Sequence, residues 1–177
     1  MFEDLGDRSG AAWSINQQGD IAREQHNLVR ARELYQQALS AFRKAGDRWG
    51  SARSLTDLGS IECEQGNFPG AQAAYHEAIE IFADLGHRRG IARILESSAG
   101  VAQAQGNAAR ALKLGGAAAH LRRLISAPLP QAEQSKLDQM LTPAWESLGE
   151  KNGTDVWVEG SGMSMDEAIR FSLEVPE

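Results

Sequence analysis

One cysteine, Cys63, stands in 177 residues, so no internal disulfide can form, and a reducing cytoplasm is the default compartment. No apolar run approaches the roughly 20 residues that a membrane-spanning helix needs, and the N-terminus lacks the basic-then-apolar order of a signal peptide. Aromatic residues make up only 6 % of the chain, a content that fits an alanine-rich helical stack. Four histidines, His26, His76, His87 and His120, are scattered, none at metal spacing with another ligand type. Gly160-x-Gly162 and Gly115-Gly116 are too short for phosphate-binding loops, and no nucleophile elbow or paired catalytic carboxylates stand out. These absences argue against an enzyme and imply no cofactor. Charge is short of one sign only at one end. Residues 1–126 hold 15 basic against 14 acidic side chains, whereas residues 127–177 hold 3 against 10. Nothing has the basic footprint of a nucleic-acid binder; the acidic tail reads as a solubilising end-cap.

What is present is a repeat. Leu5-Gly6-Asp7-Arg8-Ser9-Gly10 returns as Ala45-Gly46-Asp47-Arg48-Trp49-Gly50 and again as Leu85-Gly86-His87-Arg88-Arg89-Gly90. A shift of forty also aligns Ala12, Ala52 and Ala92, then Gly19, Gly59 and Ala99, then Ile21, Ile61 and Val101. Asn27, Asn67 and Asn107 coincide, as do Ala38, Ala78 and Ala118. Tyr35 and Tyr75 meet Gly115 in the third copy, and Phe42 and Phe82 meet Arg122. Repeats of this length stack rather than close on one core. Each unit reads as two helices. In the second copy Ala52, Leu55, Gly59 and Ile61 form one small-or-apolar stripe. Gly66-Asn67 makes a tight turn, and Pro69 sits in the first turn of the next helix, where its missing N–H costs nothing.

Gly19, Ala31, Tyr35 and Ala38, repeated as Gly59, Ala71, Tyr75 and Ala78, resemble the spacing of the tetratricopeptide repeat. The resemblance covers roughly residues 2–126, with a unit about six residues longer than usual. It implies an all-α, right-handed helix-pair solenoid, with repeats at about 8–46, 48–86 and 88–126. A remnant of an earlier repeat precedes them, because Phe2 to Gly6 aligns with Phe82 to Gly86. Residues 127–177 are expected to form an acidic C-terminal helical cap. In that cap a helical pattern from Ala132 to Leu148 contains Pro143, expected to kink or split it, and Leu148-Gly149 is expected to end it. Val156-Trp157-Val158 reads as a short helix or strand, Gly160-Ser161-Gly162 as a loop, and Ser164-Met165-Asp166-Glu167 as a capping box.

Leu121-Arg122, Ala127-Pro128-Leu129, Leu148-Gly149, Trp157-Val158-Glu159-Gly160 and Ser164-Met165-Asp166-Glu167-Ala168, in that order, resemble a narrower group. They look like the C-terminal ends of large bacterial LuxR-type or AfsR-type transcriptional regulators and ATPase–adenylyl cyclase fusions. That resemblance implies a cytoplasmic, non-catalytic sensor or partner-binding region for signal transduction. The tetratricopeptide fold would line its concave groove with Trp13, Asn16, Asp20, Arg23 and Glu24 from the first repeat. The second would add Arg53, Thr56, Ser60, Cys63 and Glu64, and the third Arg93, Glu96, Gly100, Gln103 and Ala104. Arg53 and Arg93 are register mates suited to peptide carboxylates or extended backbone. Alternatively they pair with neighbours such as Asp57 or Glu96. Trp13 is either an anchor for a ligand or a cover for the N-terminal end. Cys63 is either a packing residue or a reactive thiol. The expected partner is a protein or peptide, with no nucleic acid and no membrane. The alternative is homodimerisation through the exposed N-terminal helix face.

Overall fold

A computed structural model describes the backbone of residues 2–174 and the side chains of residues 9–174. The described residues form eight helices and no strand. They are α1 (Phe2–Glu24), α2 (Leu28–Ala45), α3 (Arg48–Glu64), α4 (Phe68–Asp84), α5 (Arg88–Ala104), α6 (Ala108–Leu124), α7 (Gln131–Ser161) and α8 (Met165–Leu173). Helices α1–α4 make one compact unit and α5–α8 a second. In the first, α1 packs on α2, α2 on α3 and α3 on α4; in the second, α5 packs on α6 and α6 on α7. The fold is the all-α, helix-pair architecture that the repeat implies.

Local chemistry sets the helix boundaries at twenty-residue intervals. Gly46, Gly66, Gly86 and Gly106 all lie at positive φ, between 63° and 76°, ending each helix in the left-handed conformation that glycine adopts without strain. The same position at either end of the series is His26 (φ 58°) and Ser126 (φ 51°). One residue later a side chain caps the next helix by accepting its N–H: Asn27 from Arg30, Asp47 from Gly50, Asn67 from Gly70, His87 through Nδ1 from Gly90, and Asn107 from Arg110, at 2.8 to 3.2 Å. Each cap satisfies one of the four N–H groups that a helix leaves open. The expected junction at Leu5-Gly6-Asp7 falls where side chains lie outside the described residues; the backbone there is already helical, from Phe2.

Inside each of the first two pairs, glycine and tyrosine fit together. A Cβ on Gly19 would stand 2.6 Å from the Tyr35 ring, and one on Gly59 2.4 Å from the Tyr75 ring. Both rings are buried, so the missing side chain is what lets the aromatic fill the pair at interior density. Phe42 uses Gly50 in the same way, at 2.4 Å.

The cap departs from the expected pattern. Pro143 lies inside α7, and the backbone stays helical around it; the break comes at Gly149 (φ 73°, ψ 160°), at the expected Leu148-Gly149 end of the segment. Proline removes one hydrogen bond from a helix, whereas this glycine conformation turns the chain. Trp145 and Trp157 would be about 18 Å apart along a straight helix, yet their rings lie 5.7 Å apart. Two arms, 131–148 and 150–161, are therefore folded against each other. Val156-Trp157-Val158 is helical, and so are Gly160 and Ser161, which replaces the loop expected at 160–162. The Ser164–Glu167 capping box forms as its spacing requires.

Candidate functional site

In the first unit α1 and α3 bring together the polar side chains singled out from the sequence, together with Ser54, which the sequence did not mark. Asp57, 1 % exposed, is the centre. Arg53 Nε donates to Asp57 Oδ2 at 2.7 Å, one turn of helix away, and Asn16 Nδ2 donates to the same oxygen from α1 at 3.2 Å. Ser54 Oγ donates to Asn16 Oδ1 at 2.6 Å. Arg53 Nη2 also reaches Asp20 Oδ2 at 3.5 Å, and Asp20 Oδ1 accepts the Tyr35 hydroxyl at 2.8 Å. At the far end of the face Arg23 Nε donates to Glu64 Oε1 at 2.9 Å.

Electrostatics follow from this geometry. Burial works to lower the Arg53 guanidinium, but the Asp57 and Asp20 carboxylates outweigh it and hold the group above its ordinary range. Arg23 is raised in the same way: burial opposes and Glu64 prevails. Burial first, and the hydrogen bond to Asp20 second, push the Tyr35 phenol far up. Burial, reinforced by Glu64, also raises the Cys63 thiol. A thiol shifted in that direction is a poor nucleophile at neutral pH.

Two of the expected groove residues are turned inward. Asn16 and Thr56 are each 1 % exposed. Asn16 is held between Asp57 and Ser54, and Thr56 Oγ1 donates to the Ala52 carbonyl at 2.8 Å. Buried polar groups bond internally: Asn16 ties α1 to α3, and Thr56 bonds within α3. Trp13 is packed as well, its ring 4.8 Å from Phe42 and 4.9 Å from Trp49. Arg53 takes the neighbour-paired arrangement with Asp57. Ser60 Oγ donates to the Thr56 carbonyl at 3.1 Å and lies 3.3 Å from the Tyr75 hydroxyl. Asp20, Arg23, Arg53 and Glu64 remain open to solvent, with side chains 28 to 40 % exposed.

The other expected residues lie in the second unit. Arg93 is half-buried on α5. Glu96 binds Arg122 with both oxygens, one of them accepting from Nη2 at 2.9 Å. Gln103 has its Oε1 buried without a hydrogen-bond partner. Gly100 faces Met140 of α7, 3.6 Å from where its Cβ would be. Among the described residues no three His, Cys, Asp or Glu side chains converge as metal ligands, and no helix is long and apolar enough to cross a membrane.

A family model for the tetratricopeptide repeat matches residues 50–123, from the start of α3 to the end of α6. The matched segment, residues 50–123, belongs to the tetratricopeptide-repeat family. No curated protein and no solved structure matches the chain. Tetratricopeptide repeats generally mediate protein–protein interaction and form a non-catalytic scaffold. The Arg53–Asp57 pair was one of the two alternatives that the sequence offered, from a carboxylate four residues after Arg53 on a helix; the links from Asp57 to Asn16 and from Asn16 to Ser54 carry no such local signal, because they join α1 to α3.

Proposed function

We propose that this chain is a protein- or peptide-binding regulatory module, without catalysis of its own, from a larger bacterial signal-transduction or transcription-regulatory protein. Residues 127–177 act in it as the acidic cap. The observation that carries the reading is the row of half-exposed, mutually paired charges on α1 and α3: Asp20, Arg23, Arg53 and Glu64. Charges held in place by partners lose little side-chain freedom when a ligand arrives, and Arg53 and Arg23 present fork-shaped donors that suit carboxylates and backbone carbonyls. A partner that prefers one state of the parent protein would bias its activity. The setting is the cytoplasm, in line with a lone thiol.

The test has two steps. Proteins retained by the immobilised chain from source-cell lysate are identified, and the strongest is purified. Its affinity is then measured by calorimetry for the parent chain and for an Arg23→Glu/Arg53→Glu variant of equal helicity. A loss of about tenfold or more is expected for charge reversal at a paired site. Unchanged affinity would remove the face from the function.

Self-association is a second reading, favoured by Ile21. Its register mates Ile61 and Val101 are 0 % and 1 % exposed, but Ile21 is 54 % exposed. Val29, on the neighbouring helix, is 66 % exposed. If two chains pair through this face, sedimentation will show a mass that grows with concentration and an Ile21→Lys variant that stays monomeric.

A further inference from the structure

We propose that the second unit holds a binding site for a small amphipathic anion, between α6, the linker at 125–130 and α7. A cavity of about 410 Å³ opens there, walled by Ala119, Pro128, Leu129, Leu137 and Trp157. That volume lies in the range of small-ligand pockets, which are mostly apolar with a few fixed polar groups.

The cavity is built where the third repeat departs from the other two. Tyrosine gives way to Gly115, and a Cβ there would stand 2.9 Å from the Trp157 ring. Phenylalanine, buried at Phe42 and Phe82, gives way to Arg122. Arg122 is clamped by Glu96, and its Nη1 donates to the Ala127 carbonyl at 3.3 Å, which ties the linker to α6. Pro128 and Pro130 fix two backbone angles in that linker. Hydrogen bonding to Glu96 raises the Arg122 guanidinium against the pull of burial, so the pair stays charged and in place. The walls are thus set before a ligand binds.

The charge at the mouth selects the ligand. Glu96 and Arg122 satisfy each other at the floor, and the Glu133 carboxylate acts on Arg122 from α7. Gln134 is bound to Asp138 at 2.8 Å. Arg123 is exposed, pairs with no carboxylate among the described residues, and meets only His120 Nδ1, at 3.4 Å. An apolar body in the cavity with one anionic group at Arg123 fits this arrangement. A medium-chain carboxylate or a two-ring aromatic sulfonate has that form. The site is independent of the partner-binding face on α1 and α3, and neither reading falls with the other.

The experiment uses the full chain and the fluorescent anion 1-anilinonaphthalene-8-sulfonate. The expected result is saturable binding of one equivalent, reversed by decanoate and not by decyltrimethylammonium. Leu137→Glu should abolish it, and Arg123→Glu should weaken it about tenfold, with circular dichroism showing both variants folded. Should Leu137→Glu unfold the chain, Leu129→Glu in the linker repeats the test without touching a helix. Absence of saturable binding, parent-like binding by the variants, or equal displacement by the cation would each overturn the proposal.

Discussion

In the first two helix pairs a tyrosine on the second helix lies over a glycine on the first, Tyr35 on Gly19 and Tyr75 on Gly59. In the third pair the sizes are exchanged. Ala99 stands on the first helix and Gly115 on the second, and the ring that fills the space comes from outside the pair, from Trp157 of α7. The first two pairs carry their own filler, whereas the pair that meets the cap borrows one from it. Borrowing also changes the kind of contact. Gly116 and Gly160 bring the backbones of α6 and α7 together: a Cβ on Gly116 would stand 2.3 Å from the Trp157 carbonyl oxygen, and one on Gly160 2.0 Å from that of Lys113. Ser161 Oγ donates to the Gly116 carbonyl at 3.2 Å across the same seam. At its closest points the cap is held backbone to backbone, and the first two pairs ring to backbone.

Truncating the two kinds of filler tests this difference most strongly. Tyr35 is 0 % exposed, so Tyr35→Ala should cost about 4 kcal/mol, as large-to-small changes in well-packed cores do. Trp157 keeps part of its surface in solvent, and Trp157→Ala should cost about half as much, roughly 2 kcal/mol. Urea unfolding followed by far-ultraviolet circular dichroism gives both values, and equal costs would erase the distinction between internal and borrowed filling. Adding a methyl group should reverse the order. Gly160→Ala sets a Cβ against a carbonyl on a helix that cannot turn aside, for about 3 kcal/mol, while in Gly59→Ala the Tyr75 ring can shift, for about 1 kcal/mol. If Gly59→Ala is the worse of the two, the seam between α6 and α7 is looser than the close approach implies.

The helix pairs were legible because four of the boundaries are written twice, as a glycine for positive φ and as a capping side chain one residue later, for example at Gly66-Asn67 and Gly106-Asn107. Repetition at forty residues then removed the ambiguity of any single copy. The cap has no second copy. Leu148-Gly149 marks the end of its first arm correctly, because glycine permits the conformation that the turn needs, whereas Pro143, a strong helix breaker by type, leaves the backbone helical. The site was less legible for a different reason. Register places a residue on a helix face but says nothing of how far its neighbours cover it, so Asn16 and Thr56 looked like Arg53 and Ser60 until burial separated them. Arg122 did leave a mark, as the one charged residue in a column otherwise occupied by Phe42 and Phe82. Its meaning depended on Glu96, twenty-six residues away on another helix.

A smaller effect attaches to the Tyr35 hydroxyl, which binds Asp20 while Tyr75 meets Ser60. Tyr35→Phe should cost about 1 kcal/mol near neutral pH, the worth of one internal hydrogen bond. Alkaline titration sharpens the point. The folded phenol is shifted up, so the native state keeps its proton when the unfolded chain begins to lose it near pH 10. The stabilisation is fully present below that pH and is lost as pH rises beyond it. The parent chain should weaken above about pH 10 more steeply than Tyr35→Phe, read as the midpoint of urea unfolding against pH; parallel curves would mean that Tyr35 ionises as a free phenol does.

The smallest expected effect lies at the turn positions, and it compares the ends of the series with its middle. His26 and Ser126 hold positive φ without being glycine, while Gly66 and Gly106 hold it freely. A left-handed residue with a Cβ costs roughly 1 kcal/mol, and histidine is among the residue types that bear it best. His26→Gly relieves that strain but frees the unfolded chain, which offsets roughly half of it. A gain of about 0.5 kcal/mol remains, or about 1–2 °C in melting temperature for a chain of this length. His26 is exposed and its backbone N–H donates to the Arg23 carbonyl at 2.9 Å, a bond that glycine keeps, so the side chain contributes little to set against the gain. Gly66→Ala should lose about 1 kcal/mol, because a Cβ there meets no neighbour within 4 Å and the cost is backbone strain alone. Opposite signs at His26 and Gly66 would show that the turns obey one backbone rule from end to end. A loss at both would mean that the first turn depends on the His26 side chain in a way that the interior turns do not share.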